Sequence, residues 1–76
     1  MAYWEINIPT VDADQRSGVQ TFTYSADRYP LQLLAKRQAR KDVDSADAIR
    51  HRRGATAKPD AISVVWHETY EFANDF

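Results

Sequence analysis

The sequence contains no cysteine, only two glycines and only three prolines in 76 residues. Without cysteine no disulfide can form, which is typical of proteins in a reducing compartment. Zinc sites are usually built from cysteine and histidine, and the chain has only His51 and His67 to offer, so we expect no metal site. Two glycines cannot build a glycine-rich dinucleotide-binding loop. We therefore expect no cofactor.

Long hydrophobic runs are also missing. No segment approaches the roughly 20 apolar residues that cross a membrane, and no apolar signal segment follows Met1. Hydrophobic residues nevertheless make up 43% of the chain, which is enough for a modest core. We expect one small domain over residues 1–76, located in the cytoplasm and not in a membrane.

Charge is nearly balanced overall but is distributed unevenly. The formal net charge is −1 and the pI is about 6.0. Residues 28–58 hold nine basic and three acidic residues, a net of +6, whereas the remainder has a net of −7. A basic middle between acidic ends favours a function in binding.

Two strands are predicted near the N-terminus. Residues 3–8 alternate between apolar and polar side chains, which is typical of a half-buried strand, and Pro9 should end it. Residues 19–24 are rich in β-branched and aromatic side chains and predict a second strand. A polar loop over 9–18 then makes the pair an antiparallel hairpin.

A helical region should follow, capped by Ser25 or Asp27. Its apolar face includes Leu31, Leu34, Ala35 and Ala39. An unbroken helix would add Asp42 to that face, and burying an unpaired carboxylate is costly. We therefore expect a break over residues 42–45, although one continuous helix remains an alternative if Asp42 reaches solvent or a basic partner.

The second helical segment should begin at a cap formed by Asp44 or Ser45 and bury Ala46 and Ile49. It should end at Gly54, since glycine is common after a helix C-terminus. Residues 54–60 are then a loop, and residues 61–72 give the strongest strand pattern in the chain.

These elements predict an α+β fold of the order ββαβ. The expected sheet is three-stranded, antiparallel or mixed, in the order 2-1-3 counted along the chain, with the third strand parallel to the second and one long or kinked helix on one face. The predicted core consists of apolar residues from every element: Trp4, Ile6, Ile8, Phe22, Tyr24, Leu31, Leu34, Ala35, Ile49, Ile62, Val64 and Trp66.

The chain lacks the motifs of common catalytic sites, and we expect that it is not an enzyme. No cysteine nucleophile, phosphate-binding loop or spaced set of metal ligands is present. A minor hypothesis is a general base at His67, which should lie on the open sheet face near Glu5 or Glu71.

The basic stretch over residues 36–54 is the main candidate binding site. Arginine outnumbers lysine there, and arginine suits bidentate recognition of carboxylate or phosphate. Leu33 falls among these cations and could anchor an interface. The predicted partner-binding residues are Leu33, Lys36, Arg37, Arg40, Arg50, Arg52 and Arg53.

Three interpretations of that stretch remain open: a protein-docking face, a phosphate-binding face, or the solvated side of a helix. The pI and the interrupting aspartates argue against nucleic acid, which stays the alternative. A dipolar surface favours a protein partner. The sheet edges are a further route to a homodimer.

The order of elements, together with the junction TFTYSADRYPLQLLAKRQAR and the final strand AISVVWHETYEF, resembles small ββαβ proteins of phages and mobile elements, including some anti-CRISPR inhibitors. The resemblance spans most of the chain and implies a non-enzymatic inhibitor or regulator that docks on a host nucleic-acid-handling complex in the host cytoplasm.

Overall fold

The computed structural model describes residues 2–68, and a long hairpin forms its centre. Strand β1 (Tyr3–Val11) pairs antiparallel with β2 (Ser17–Ser25) along all nine residues of each. The connecting turn is organised by Asp12, whose Oδ1 accepts the backbone N–H groups of Asp14 and Arg16, both at 2.8 Å. The hairpin is the predicted one, with longer strands and a shorter loop.

The prediction that Pro9 ends the first strand is wrong, because β1 continues to Val11. Two shorter strands share the side of β1 away from β2. Strand β3 (Thr56–Ala57) pairs with Thr10 and Val11, and β4 (Ser63–His67) pairs with residues 3–7. Pro9 therefore lies opposite the gap between them, where its missing N–H is not needed, and its carbonyl accepts the Lys58 N–H at 2.8 Å.

The sheet confirms the predicted α+β class and the central position of the first strand. Strand β1 has β2 on one side and both β3 and β4 on the other. All pairings are antiparallel, so β4 runs in the same direction as β2. A short 3₁₀ helix (Pro59–Ala61) joins β3 to β4, in the region predicted as plain loop and strand start. Residues 69–72 of the predicted last strand lie outside the described residues.

The predicted break in the helical region is confirmed, and the helices are short rather than long. Helix α1 spans Gln32–Asp42 and α2 spans Ala46–His51. Ser45 caps α2, its Oγ accepting the Ala48 N–H at 3.1 Å. The predicted cap of the first helix is wrong, since α1 begins after Leu31 without a side-chain cap.

Helix α2 ends at His51, three residues before the predicted end at Gly54, and Gly54 takes part in the turn that follows. The Gly54 N–H donates to the Ile49 carbonyl and the Arg53 N–H to the Arg50 carbonyl, both at 3.0 Å. This pair of bonds is a Schellman motif. Arg53 (φ 53°) occupies its left-handed position, and Gly54 (φ 78°) follows in the same region.

The core is small and lies between β1 and α1. Its buried residues are Ile6, Ile8, Ala35, Ala39 and Val43, and seven half-buried side chains pack against them: Trp4, Phe22, Tyr24, Tyr29, Ala57, Ile62 and Val64.

Three residues of the predicted core are exposed instead: Leu31 (61%), Ile49 (41%) and Trp66 (42%). Leu31 precedes α1 and so escapes its buried face. The predicted burial of Ala46 is also wrong, because α2 turns Ala48 inward. Among the described strands, the strand that contains Trp66 pairs with β1 alone, and the Trp66 ring contacts that of Trp4 at 4.4 Å between centroids.

Candidate functional site

Helix α1 separates an apolar face from a basic one. Ala35, Ala39 and Val43 recur every four residues and are buried, which fixes the side that meets the sheet. The opposite side carries Leu33, Arg37, Arg40 and Lys41, all exposed. Leu33 remains 55% exposed and lies one turn before Arg37 on this surface. We call these four residues the α1 face.

Among the described residues, no carboxylate forms an ion pair with a cation of the α1 face. Within residues 2–68 the ion pairs are Arg50–Asp47 and His67–Glu5. Arg40 and Lys41 also lie in the last turn of α1, where positive charge interacts favourably with the helix dipole. That local role accounts for two of the cations and leaves Arg37 and Leu33 without a structural explanation.

The structure divides the seven predicted partner-binding residues into two groups. Leu33, Arg37 and Arg40 lie on the α1 face, and Lys36 lies half-buried at its border. The remaining three belong to α2 and the turn after it. Lys41, which the prediction left out, completes the α1 face because it lies four residues after Arg37 on the same side of the helix.

Arg52 stabilises the fold. Its Nε donates to the Ala55 carbonyl at 2.6 Å, and its Nη1 donates to the Val43 carbonyl at 2.6 Å and to the Gln20 Oε1 at 3.1 Å. One half-buried guanidinium thus ties the end of α1, strand β2 and the loop after α2 together. Its neighbours have local contacts: Arg50 pairs with Asp47 at 3.0 Å, and Arg53 holds the left-handed turn.

The open face of the sheet carries a row of polar and aromatic contacts. His67 Nε2 lies 2.8 Å from Glu5 Oε1, and the His67 ring stacks on Tyr3 at 4.6 Å between centroids. Asn7 donates to the other oxygen of Glu5 at 2.7 Å and accepts a bond from the Thr21 hydroxyl at 2.6 Å. The predicted neighbourhood of His67 and Glu5 is confirmed, while Glu71 lies outside the described residues.

Hydrogen bonds favour the charged form of Glu5. The Asn7 amide contributes most and His67 next, so the pKa of Glu5 is lowered from its usual value of 4.5. The two side chains are 35% (His67) and 29% (Glu5) exposed on a flat sheet face. With one imidazole nitrogen held by Glu5 and the ring covered by Tyr3, these contacts fix the orientation of His67.

A groove of about 780 Å³ runs between β2 and α2. Its walls include Val19 and Phe22 from the strand and Ala48 from the helix, together with charges of both signs such as Asp47 and Arg52. Gln20 crosses it, donating from Nε2 to the Ala48 carbonyl at 3.0 Å. Sequence reasoning missed this groove because its two walls are about 28 residues apart in the chain and share no local pattern.

Two further properties concern metals and membranes. No three histidine, aspartate or glutamate side chains converge on a common point in the part of the chain that the structure describes. Neither helix within residues 2–68 is long and apolar enough to span a bilayer.

No family model matches this sequence, and no curated protein or solved structure shows significant similarity to it.

Proposed function

We propose that the chain is a small non-enzymatic binding module that docks through the α1 face on an acidic surface of another protein. One observation carries the proposal: Leu33 is 55% exposed in the same row as Arg37 and Arg40. An exposed apolar side chain with two arginines on the same side of the helix fits the composition of an interface centre, where arginine is enriched.

A protein partner fits this surface better than a nucleic acid. Phosphate backbones offer no pocket for Leu33, whereas a protein groove can bury it. Asp44 is exposed in the turn directly after α1, and it would repel phosphates. The pI of about 6.0 is also far from that of a typical nucleic-acid-binding domain.

The resemblance to small inhibitors of phages and mobile elements supplies the biological setting of the proposal. In that setting the acidic surface belongs to a nucleic-acid-handling complex of the host, and binding inhibits or regulates that complex. The arginines would then pair with carboxylates by the same bidentate geometry that serves phosphates.

The test compares two charge-reversal variants for capture of partners from the native host. Arg37→Glu/Arg40→Glu changes the α1 face, and Arg28→Glu/Lys58→Glu makes the same change of charge at exposed cations elsewhere. We expect the first variant to lose its partner by at least about 30-fold in affinity, which corresponds to a hot-spot effect of about 2 kcal/mol. The control variant should keep it.

Leu33→Ala tests the apolar anchor without changing charge. We expect it to weaken the same partner and to leave the salt dependence of binding unchanged. Equal capture by wild type, Leu33→Ala and the Arg37→Glu/Arg40→Glu variant would refute the α1 face as the binding site.

Direct binding to short duplex and single-stranded DNA and RNA is the competing outcome. We expect no micromolar binding at low salt. Micromolar affinity that fades steeply with salt and vanishes in Arg37→Glu/Arg40→Glu would assign the α1 face to nucleic acid instead, because release of counterions makes phosphate contacts salt-dependent.

A further inference from the structure

Strand β2 has an unusually unprotected edge. It spans nine residues, SGVQTFTYS, and among the described strands it pairs with β1 alone. Edge strands are normally blunted by charged residues, proline or bulges. This strand has neither a charged residue nor a proline, and its register with β1 is unbroken from Ser17 to Ser25.

The hydrogen bonds that flank the hairpin show which backbone groups face outward. Asp12 N–H donates to the Arg16 carbonyl and Ala26 N–H to the Ala2 carbonyl, so the even-numbered residues of β2 face β1. The odd-numbered residues direct their N–H and C=O groups away from the sheet. Within residues 2–68, no backbone partner is present on that side for Ser17, Val19, Thr21 and Thr23.

We propose that a second copy of the chain pairs with this edge, antiparallel and centred on Thr21, to form a two-fold symmetric dimer with a continuous sheet. Centring on Thr21 is the register that brings the full length of the two strands together. Because the Ser25 carbonyl already accepts the Tyr29 N–H at 3.0 Å, the pairing supplies on the order of eight backbone hydrogen bonds, which is within the range of a typical interface.

The side chains are self-complementary in this register. On the open face, Thr21 meets its own copy and Val19 meets Thr23, which are favourable β-branched pairs. On the helix-facing side, Phe22 of each copy lies opposite Gln20 and beside the groove of the other, and Tyr24 lies opposite Gly18, where no side chain competes for space.

Each end of the paired strands carries charges of both signs. Antiparallel pairing brings the turn that contains Asp14 and Arg16 of one copy next to the turn that contains Asp27 and Arg28 of the other. The strand itself has no charged residue, so no like charges oppose each other along it, and an acidic and a basic residue are available on each side at both ends. A second copy is therefore the occupant that this edge fits.

The experiment measures the mass of the full chain by sedimentation and light scattering over a range of concentrations. We expect a reversible monomer–dimer equilibrium, with amide exchange at Val19, Thr21 and Thr23 slowing as the dimer forms. Amides of the even-numbered residues should be protected at all concentrations because β1 already binds them. A chain that stays monomeric to about 1 mM, where any association would be weaker than about 4 kcal/mol, refutes the proposal.

Two double variants of the same exposed positions test the register. Val19→Lys/Thr23→Lys places like charges opposite each other twice, and we expect a monomer. Val19→Glu/Thr23→Lys places opposite charges there, and we expect a dimer. Circular dichroism confirms that both variants fold. Equal association of the two variants would overturn pairing centred on Thr21.

The α1 face and the β2 edge share no residue, so the two proposals are distinguishable. Arg37→Glu/Arg40→Glu should leave the dimer intact, and Val19→Lys/Thr23→Lys should keep the α1 face available in the monomer.

Discussion

The Tyr24 hydroxyl donates a hydrogen bond of 2.7 Å to Asp42 Oδ2 and so joins the edge strand to the end of α1. Gln38 Nε2 donates to the other carboxylate oxygen at 2.9 Å. Asp42 thus faces the sheet side of the helix half-buried but with hydrogen-bond partners, which removes the cost expected for an unpaired carboxylate there.

Tyr24→Phe should destabilise the fold by about 1–2 kcal/mol, because it removes a hydrogen bond to a charged, half-buried acceptor. Urea denaturation followed by circular dichroism measures the change. Tyr29→Phe is the matched control, since its hydroxyl makes no hydrogen bond to residues 2–68 while its ring packs edge-on against Tyr24 at 5.2 Å. Equal losses in the two variants would show that the bond to Asp42 contributes nothing.

Alkaline pH should destabilise the protein through the same pair. Burial first, and then the hydrogen bond to Asp42, raise the pKa of Tyr24 above its usual value of 10.0. A raised folded-state pKa gives stability that is complete below pH 10 and is lost as the pH rises through the folded-state pKa. The difference in unfolding free energy between wild type and Tyr24→Phe should shrink above pH 10 and stay constant between pH 7 and about 9.

Asn7 should control the titration of Glu5 more strongly than His67 does. The Asn7 amide is the largest cause of the lowered pKa of Glu5, so Asn7→Ala should raise that pKa towards 4.5 by more than His67→Ala does. Carbon-detected NMR titration of the Glu5 carboxyl measures both shifts. The pairing stabilises the fold above pH 4.5 and is lost as the pH falls through the folded-state pKa. A larger shift in His67→Ala would contradict this order.

Arg52→Ala should cost about 2–3 kcal/mol of stability, since it leaves the half-buried carbonyls of Val43 and Ala55 and the side-chain oxygen of Gln20 without their donor. Arg50→Ala should cost less than about 0.5 kcal/mol, because its ion pair with Asp47 is exposed. Chemical denaturation separates the two. Similar small losses in the two variants would mean that the fold does not need Arg52 and that its side chain is available for binding.

Arg53→Gly should stabilise the protein by about 0.5–1 kcal/mol, because a residue with a Cβ is strained in the left-handed region that Arg53 occupies. Gly54→Ala should destabilise by about 1 kcal/mol for the converse reason, even though nothing lies within 4 Å of the added methyl group. Thermal unfolding of both variants is the measurement. An unchanged midpoint in Arg53→Gly would mean that Arg53 contributes a compensating contact.

The binding site was predictable only in part. The exposed side of α1 follows from the helical period, so Leu33, Arg37 and Arg40 could be placed on it from the sequence. The role of Arg52 could not, because two of its acceptors are a side chain 32 residues away and a carbonyl nine residues away that folding brings together. Nothing in the local sequence distinguishes an arginine that makes structural contacts from an arginine that is available to bind a partner.

Local chemistry in the sequence determined the two long strands and the break between the helices. The alternation of apolar and polar residues predicts that Ile6 and Ile8 are buried. Ser45 caps the second helix, and Gly54 lies in the turn after it. Each of these three features depends on neighbouring residues alone. Tertiary structure decided the rest. Pro9 is tolerated inside β1 because it faces the gap between two partner strands, and Ala48 is buried instead of Ile49 because a helix of six residues is too short for its pattern to fix a face. Only the assembled sheet determines which side of that helix meets β2.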